Sequence, residues 1–393
     1  MSWNQMAADR SYVEAVSAWS AHLRAGGTTA WSAWREAGIP NQPPVTLRRP
    51  VPDAIHLELI RRINLADRQE TQSVSELADR VLATGAPGRG LLDVPLPWPA
   101  APRRFGTPAI EPERVPEEEL IRLAVGVLAH LLPEVPRPVP DDLPSPWPMP
   151  WRRRFRLHGS PGTVSAVRRD LLDQGMVETD WRPVHVVIAR PVEVMMAEHW
   201  ADSVRNGGIL KWSTVWRRAE AAGRLPAPID VATIAHRLHD RLHEPLHIVV
   251  AREADEAAAL AADVLHARPA TIRRRDDPAH SDLLRRLNRL TALTQGPRLV
   301  RESSSKLVAI LDEESAGTPE WPPPATPPAS LPWADEVAVS CAEAIRHADY
   351  AVHGDPDALA PNAQRLPGAV DRERTLELAV GACLRAWHRR GNP

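Results

Sequence analysis

The chain has 393 residues, a hydrophobic fraction of 43% and a formal net charge of −2 at pH 7. This composition is typical of soluble globular proteins with room for two domains, and the small charge gives no electrostatic argument for nucleic acid or an anionic membrane. No apolar run approaches the roughly 18 residues that cross a bilayer, and residues 1–16 lack the pattern of a signal peptide. Two cysteines, Cys341 and Cys383, are too few for a disulfide framework, so we expect a reduced, cytoplasmic protein.

A phrase bounded by tryptophans occurs twice in the chain. Trp19–Ser32 reads WSAHLRAGGTTAWS and Trp200–Ser213 reads WADSVRNGGILKWS, so Trp, Arg, Gly-Gly and Trp-Ser recur at the same offsets. Three further blocks recur in the same order: Glu58–Asn64 with Asp282–Asn288, Leu96–Trp98 with Leu331–Trp333, and Leu123–Gly126 with Leu378–Gly381. Because four blocks keep one order, we interpret the sequence as an internal duplication.

The duplication predicts three segments. Residues 1–135 are expected to be an all-helical region, a truncated copy that lacks the β-branched runs of the second half. Residues 136–151 are rich in proline, which favours a stiff and extended linker. Residues 152–393 are expected to carry the fuller domain. In each copy the Gly-Gly pair predicts a corner between two helices, with tryptophans packed across it.

The second half alternates short apolar runs with helical patterns. Strands are predicted at 155–159, 184–189 and 246–250, and helices at 162–174, 192–205, 229–243 and 252–265. Continuous apolar strands that alternate with helices indicate a parallel sheet covered on both faces. The predicted fold class is therefore α/β, a parallel sheet covered by helices, together with the N-terminal helical region.

The order of motifs in residues 154–361 resembles the actinobacterial branch of the P-loop sulfotransferases, which use 3′-phosphoadenylyl sulfate. RLHGSPGTVSAVRRDLL (Arg156–Leu172) stands where that family has a strand, a Pro-Lys-Thr-Gly-Thr-Thr loop and a helix, and ARPVEVMMAEHWADSVRNG (Ala189–Gly207) stands where it has a strand-end Arg and a second helix. The resemblance implies the family's α/β fold. It also implies a site for 3′-phosphoadenosine 5′-phosphate or phosphoadenylyl sulfate at Gly159, Gly162, Thr163 and Arg190.

Two departures from the family pattern weaken that site. The loop is two residues short and lacks its Lys-Thr pair, so no lysine reaches the transferring group. The family also has a Ser eight positions after the strand-end Arg, where this chain has Glu198, and a carboxylate there would repel a phosphate. We therefore expect no catalysis and no cofactor. An open cleft facing Arg190 would favour an enzyme, and a cleft filled by side chains would favour a non-catalytic protein.

Three functions follow from these observations. The first is a non-catalytic protein that acts through a protein partner or self-association, or that senses a small ligand. The alternative is a nucleotide-dependent group-transfer enzyme, sulfotransferase-like, that keeps the four residues of the site. The second alternative is a nucleic-acid-associated factor using Arg152–Arg156 and Arg273–Arg275, which we do not favour because Phe155 is the only aromatic side chain within these runs.

Histidines with the spacing of metal ligands occur in the predicted helix 229–243. His236, His239 and His243 fall on one stripe, at intervals that could hold Zn²⁺ or Ni²⁺. No Cys or acidic ligand motif accompanies them, and Arg237 and Asp240 flank the stripe as they would on a solvated face. These three histidines are the candidate ligands, but no metal site is predicted.

Overall fold

The computed structural model describes residues 3–37, 52–67, 73–85, 87, 94–98, 107–137, 153–241, 246–269, 277–314, 324–361 and 370–390. The chain divides into two compact units. One consists of Met1–Pro138, Arg286–Ala316 and Asp371–Pro393, and the other of Val139–Arg285 and Gly317–Val370. The helical segments within 286–316 and 371–393 therefore group with the N-terminal helices, whereas the sequence pattern predicted a single α/β domain over 152–393. Apart from its first two residues, the predicted linker lies outside the described residues.

The elements are named in chain order. The α-helices are α1 (Trp3–Arg24), α2 (Trp31–Glu36), α3 (Ala54–Ala66), α4 (Ser73–Ala83), α5 (Glu117–Leu131), α6 (Pro161–Asp173), α7 (Val192–Arg205), α8 (Trp212–Ala222), α9 (Val231–His239), α10 (Ala254–Val264), α11 (Pro278–Thr294), α12 (Val300–Glu314), α13 (Leu331–His347) and α14 (Arg372–Arg389). The strands are β1 (Arg154–Gly159), β2 (Val177–Glu178), β3 (Val184–Ala189), β4 (His247–Val250) and β5 (Ala351–Gly354). None of the helices in the described ranges is both long and apolar enough to cross a membrane.

The α/β unit is built on a parallel sheet with the strand order β2–β1–β3–β4–β5. The predicted strands at 155–159, 184–189 and 246–250 are confirmed as β1, β3 and β4. The short edge strands β2 and β5 were not predicted.

Helices cover both faces of this sheet. On one face, Phe155 and Leu157 of β1 and Ile188 of β3 pack against α6 and α10 in one apolar cluster. On the other face, α9 packs against β1 and β3. This arrangement confirms the predicted mixed α/β class with a covered parallel sheet, because all neighbouring strands pair in parallel and helices pack on both faces.

The helical unit is formed around α3, α5 and α14, which pack against one another. The repeated Leu-Ala-Val-Gly block lies on α5 in the first copy and on α14 in the second. Cys383 of α14 donates its thiol to the Ala124 carbonyl of α5 over 3.6 Å, so the two blocks meet. This packing explains why the last helix of the chain groups with the first half.

The repeated tryptophan phrase forms the same corner in both units. The indole N–H of Trp19 donates to the Thr29 carbonyl at 3.0 Å, and that of Trp200 donates to the Leu210 carbonyl at 2.9 Å. The same pairing at the same offset means that each indole fixes the path of the chain after the corner.

Both glycines of each corner contribute to ending the helix before it. Gly26 and Gly207 have φ of +89° and +94°, in the left-handed region that side chains disfavour. Gly27 and Gly208 donate their backbone N–H groups to the carbonyls five residues before, at 2.9 and 2.8 Å, which closes the preceding helix. The Gly-Gly pairs are therefore helix ends, as the sequence predicted.

A second repeated block also keeps its local structure. The Glu58 carboxylate in α3 accepts from Arg61 Nε at 2.7 Å, and the Asp282 carboxylate in α11 accepts from Arg285 Nε at 3.0 Å. Both pairs join residues three positions apart on a helix, where side chains face each other. The two copies thus share hydrogen bonds as well as sequence.

We predict that Trp31→Ala and Trp212→Ala each lower the free energy of unfolding by about 3–5 kcal/mol. The two side chains are 0% and 9% exposed, and their rings lie 5.1 and 5.6 Å from those of Trp19 and Trp200. Chemical denaturation measures the change. The control is Trp181→Ala, a 62% exposed position where we expect at most about 0.5 kcal/mol. Denaturation midpoints that stay in place for all three variants would contradict the packing described here.

Candidate functional site

The candidate site lies where β1 and β3 end side by side. After β1 the chain passes through α6 and adds β2 on one side of β1, whereas β3 pairs with the other side of β1. The direction of the strand order thus changes between β1 and β3. Such a topological switch point is the usual ligand position in open parallel sheets. Gly159 ends β1 with φ +101°, and a Cβ there would lie 2.1 Å from the Ile188 carbonyl oxygen. The Ser160 N–H donates to that same carbonyl at 3.0 Å. Only glycine fits at position 159, and the loop after it begins beside the carboxyl end of β3.

The carboxylate of Glu198, from α7, occupies the N-terminus of α6. Its Oε2 accepts from Ser160 Oγ at 2.5 Å, from the Gly162 N–H at 2.9 Å and from the Thr163 N–H at 3.1 Å. Its Oε1 accepts from Thr163 Oγ1 at 2.8 Å. The first N–H groups of a helix have no acceptor within the helix and attract anions. Here the protein supplies the anion itself.

Arg190 completes the charge balance of the site. It follows β3, its side chain is 3% exposed, and its Nη1 lies 3.1 Å from Glu198 Oε1. Its Nη2 donates to the Arg252 carbonyl at 2.8 Å. The Glu198 side chain is itself only 12% exposed. A buried guanidinium and a largely buried carboxylate therefore neutralise each other's charge.

The closeness of the carboxylate depends on Gly162. A Cβ at that position would lie 3.0 Å from Glu198 Cδ, so a larger residue would push the carboxylate away from the helix end. The sequence analysis identified this glycine as a possible phosphate contact. In the structure its missing side chain makes room for Glu198.

The four residues predicted to bind a cofactor are brought together by the fold. Gly159, Gly162, Thr163 and Arg190 all lie at this edge of the sheet, and cofactor binding by them stays a prediction. The sequence analysis considered Glu198 only as a source of repulsion toward phosphate. It missed that the same carboxylate satisfies the loop's donors, because the spacing from Arg190 does not reveal which atoms a side chain on α7 reaches.

His158 and His185 stack on neighbouring strands of this sheet. Their ring centroids are 5.5 Å apart, and Nε2 of His158 lies 3.3 Å from Nδ1 of His185. Burial, followed by the charge of His185, lowers the pKa of His158 to about 4. His158 is therefore neutral at pH 7 and adds no positive charge for an anion.

The candidate metal ligands do not form a metal site within the described residues. His236 pairs with Asp240 at 3.5 Å, and the ring of His239 packs edge-on against Tyr350. His243 lies outside the part of the chain that the structure describes. No group of three or more His, Cys, Asp or Glu side chains in that part could hold a metal ion.

The first arginine run is engaged in contacts within the protein. The guanidinium of Arg154 lies 3.8 Å above the Trp181 ring, and Arg156 pairs with Asp180 at 3.5 Å. Intramolecular partners of this kind compete with phosphate oxygens, which weakens the case for nucleic acid. Arg152 and Arg273–Arg275 lie outside the described residues.

Comparison of the chain with protein-family models, curated proteins and solved structures finds no match. Function is therefore inferred from the geometry of the site.

We predict that Glu198→Gln lowers the free energy of unfolding by about 3–5 kcal/mol, because it leaves the buried Arg190 without its counter-charge. Chemical denaturation at neutral pH measures the loss. Glu377→Gln is the matched control, since Glu377 pairs with Arg374 at 3.3 Å on an exposed surface, and such pairs contribute under about 1 kcal/mol. Equal stability of the two variants would mean that Glu198 does not neutralise Arg190.

Proposed function

We propose that this protein is a non-catalytic protein on a sulfotransferase-like fold that acts by binding, either to a protein partner or to a small ligand that it senses. The observation that carries the proposal is the Glu198 carboxylate, which accepts two backbone N–H groups, two hydroxyls and the Arg190 guanidinium. These are the donors that the phosphate of a nucleotide cofactor would require. The site is filled by a side chain, the arrangement expected of the non-catalytic alternative.

Competition explains why a filled site disfavours catalysis. A carboxylate attached to the same domain has a high effective concentration at the loop, so a free nucleotide must displace it. Displacement leaves Glu198 beside the incoming phosphate, and the two like charges repel each other. The loop offers no lysine to offset this repulsion.

A cytoplasmic location is part of the proposal. Cys341 and Cys383 are both buried free thiols, and burial raises their pKa to about 11 and about 12. Thiols with such pKa values stay protonated and unreactive at neutral pH. Their role as core side chains supports a protein that needs no oxidising compartment.

A nucleotide-dependent group-transfer enzyme is the second candidate. The position of Arg190 favours this candidate, because this buried cation lies at the topological switch point where parallel sheets bind ligands. In that case Glu198 would leave the loop when a cofactor enters. The two candidates differ in the affinity of the unaltered protein for the nucleotide.

We predict that calorimetry with 3′-phosphoadenosine 5′-phosphate shows no binding to the unaltered protein at micromolar concentrations. The lost lysine and the displaced carboxylate should together weaken binding on the order of a thousandfold, at about 1.5–3 kcal/mol for each charge-assisted contact. Glu198→Ser, checked for folding by circular dichroism, should bind detectably, and Glu198→Ser with Arg190→Gln should not.

Two results would contradict this account. Tight binding by the unaltered protein would favour the group-transfer enzyme. Failure of a folded Glu198→Ser variant to bind, even with the loop restored to Pro-Lys-Thr-Gly-Thr-Thr, would show that the loop is not a former phosphosulfate site.

A further inference from the structure

A second concave site lies in the α/β unit, beside the tryptophan corner. It is a cleft of about 420 Å³ between α7, α8 and α9, within the size range of small-molecule sites. Its lining includes Trp200, Ser203, Val215, Arg218, Arg224 and Arg237. We call it the corner cleft.

The internal repeat shows what fills this position in the other copy. Ser203 corresponds to His22 and Val215 corresponds to Trp34, each at the same offset in the repeated phrase. In the first copy the His22 and Trp34 rings pack with centroids 4.6 Å apart and planes at 31°. Two aromatic rings therefore occupy the volume that a hydroxyl and an isopropyl group leave in the second copy.

The correspondence is structural as well as sequential. A Cβ on Gly27 would meet the His22 ring at 2.2 Å, and a Cβ on Gly208 would meet the Ser203 hydroxyl at 2.6 Å, so both side chains lie against the second glycine of their corner. Trp34 and Val215 are each the fourth residue of the helix that follows the corner. The corner cleft thus lies where the first copy is packed with rings.

The charges at the corner cleft favour an anion. Arg218, Arg224 and Arg237 form no ion pair within the described ranges of the chain. Asp230 is the acid in the lining, and its carboxylate caps α9 by accepting from the Thr233 N–H at 3.1 Å and hydroxyl at 2.8 Å. Guanidinium groups bind carboxylates through charge-assisted hydrogen bonds.

We propose that the corner cleft binds a small aromatic carboxylate. The ring of the ligand takes the place that His22 and Trp34 fill in the first copy, against Trp200 and Val215. The carboxylate pairs with the arginines at the mouth of the cleft. This site uses none of the donors that hold Glu198, so the inference goes beyond the proposed function and does not depend on it.

Three probes distinguish the contribution of the aromatic ring to binding from that of the negative charge: indole-3-acetate, tryptamine and acetate. Saturation-transfer NMR with the full chain at neutral pH should show binding of indole-3-acetate. Tryptamine has the same ring with a cation and should bind at least about tenfold more weakly, because it meets the arginines with the wrong sign. Acetate, which has no ring, should show no binding. Equal binding of tryptamine, or no binding of indole-3-acetate, would overturn the proposal.

The repeat also supplies the blocking variants. Val215→Trp, and the pair Ser203→His with Val215→Trp, copy the first-copy residues and should abolish indole-3-acetate binding by filling the cleft. Val339→Trp places the same side chain at an exposed position of α13 outside the lining and should leave binding unchanged. Thermal melting confirms folding. Arg218→Gln with Arg224→Gln should weaken binding without filling the cleft, which keeps the test valid if the tryptophan variants unfold. Unchanged indole-3-acetate binding by a folded blocking variant would show that the probe binds outside the corner cleft, and would overturn the proposal.

Discussion

The hydrogen bonds between the Glu198 carboxylate and the start of α6 link three elements of the α/β unit. They join the loop after β1 to α7 and, through Arg190, to the end of β3. Unsatisfied N–H groups and a lone buried guanidinium would each be unfavourable in a site of low dielectric constant. The Glu198 carboxylate accepts from both N–H groups and neutralises the guanidinium, so an outside anion can enter only by replacing a partner that is already in place.

The repeated tryptophan phrase forms a similar corner in each unit, and the corner cleft lies beside the second one. Both copies build a corner from a left-handed glycine, an indole hydrogen bond and a pair of packed tryptophans. They differ in what lies beside the corner, since the first copy has two aromatic rings and the second has smaller side chains and arginines. The space beside the corner is thus packed with aromatic rings in one unit and is a cleft in the other.

Much of the architecture could be predicted from local pattern. The runs that became β3 and β4 are rich in β-branched residues, and α7 has the predicted bounds because Pro191 precedes it and Gly207 follows it. The edge strand β5 was not predicted, since its apolar run is only two residues long, Ala351 and Val352. The predicted helix 229–243 begins at Val231, because Asp230 caps it instead of joining it.

What the sequence could not show depends on contacts between distant residues. The repeated Leu-Ala-Val-Gly blocks were visible in the sequence, but the packing of α5 against α14 was not, so nothing in the sequence indicated that α14 groups with the N-terminal helices. The four residues at the switch point were predicted as a group from the resemblance of their motifs to the sulfotransferase pattern. The position of the Glu198 oxygens depends on the rotation and tilt of α7, which spacing does not determine.

The most direct test is an experimental structure of the unaltered protein crystallised in the presence of sulfate. Sulfate carries the charge and oxygen geometry of the group that the loop would bind in an active enzyme. We expect the Glu198 carboxylate to lie within hydrogen-bond distance of Ser160, Gly162 and Thr163, with no sulfate bound to these three residues. A sulfate bound by those three residues and Arg190, with Glu198 rotated away, would contradict this expectation.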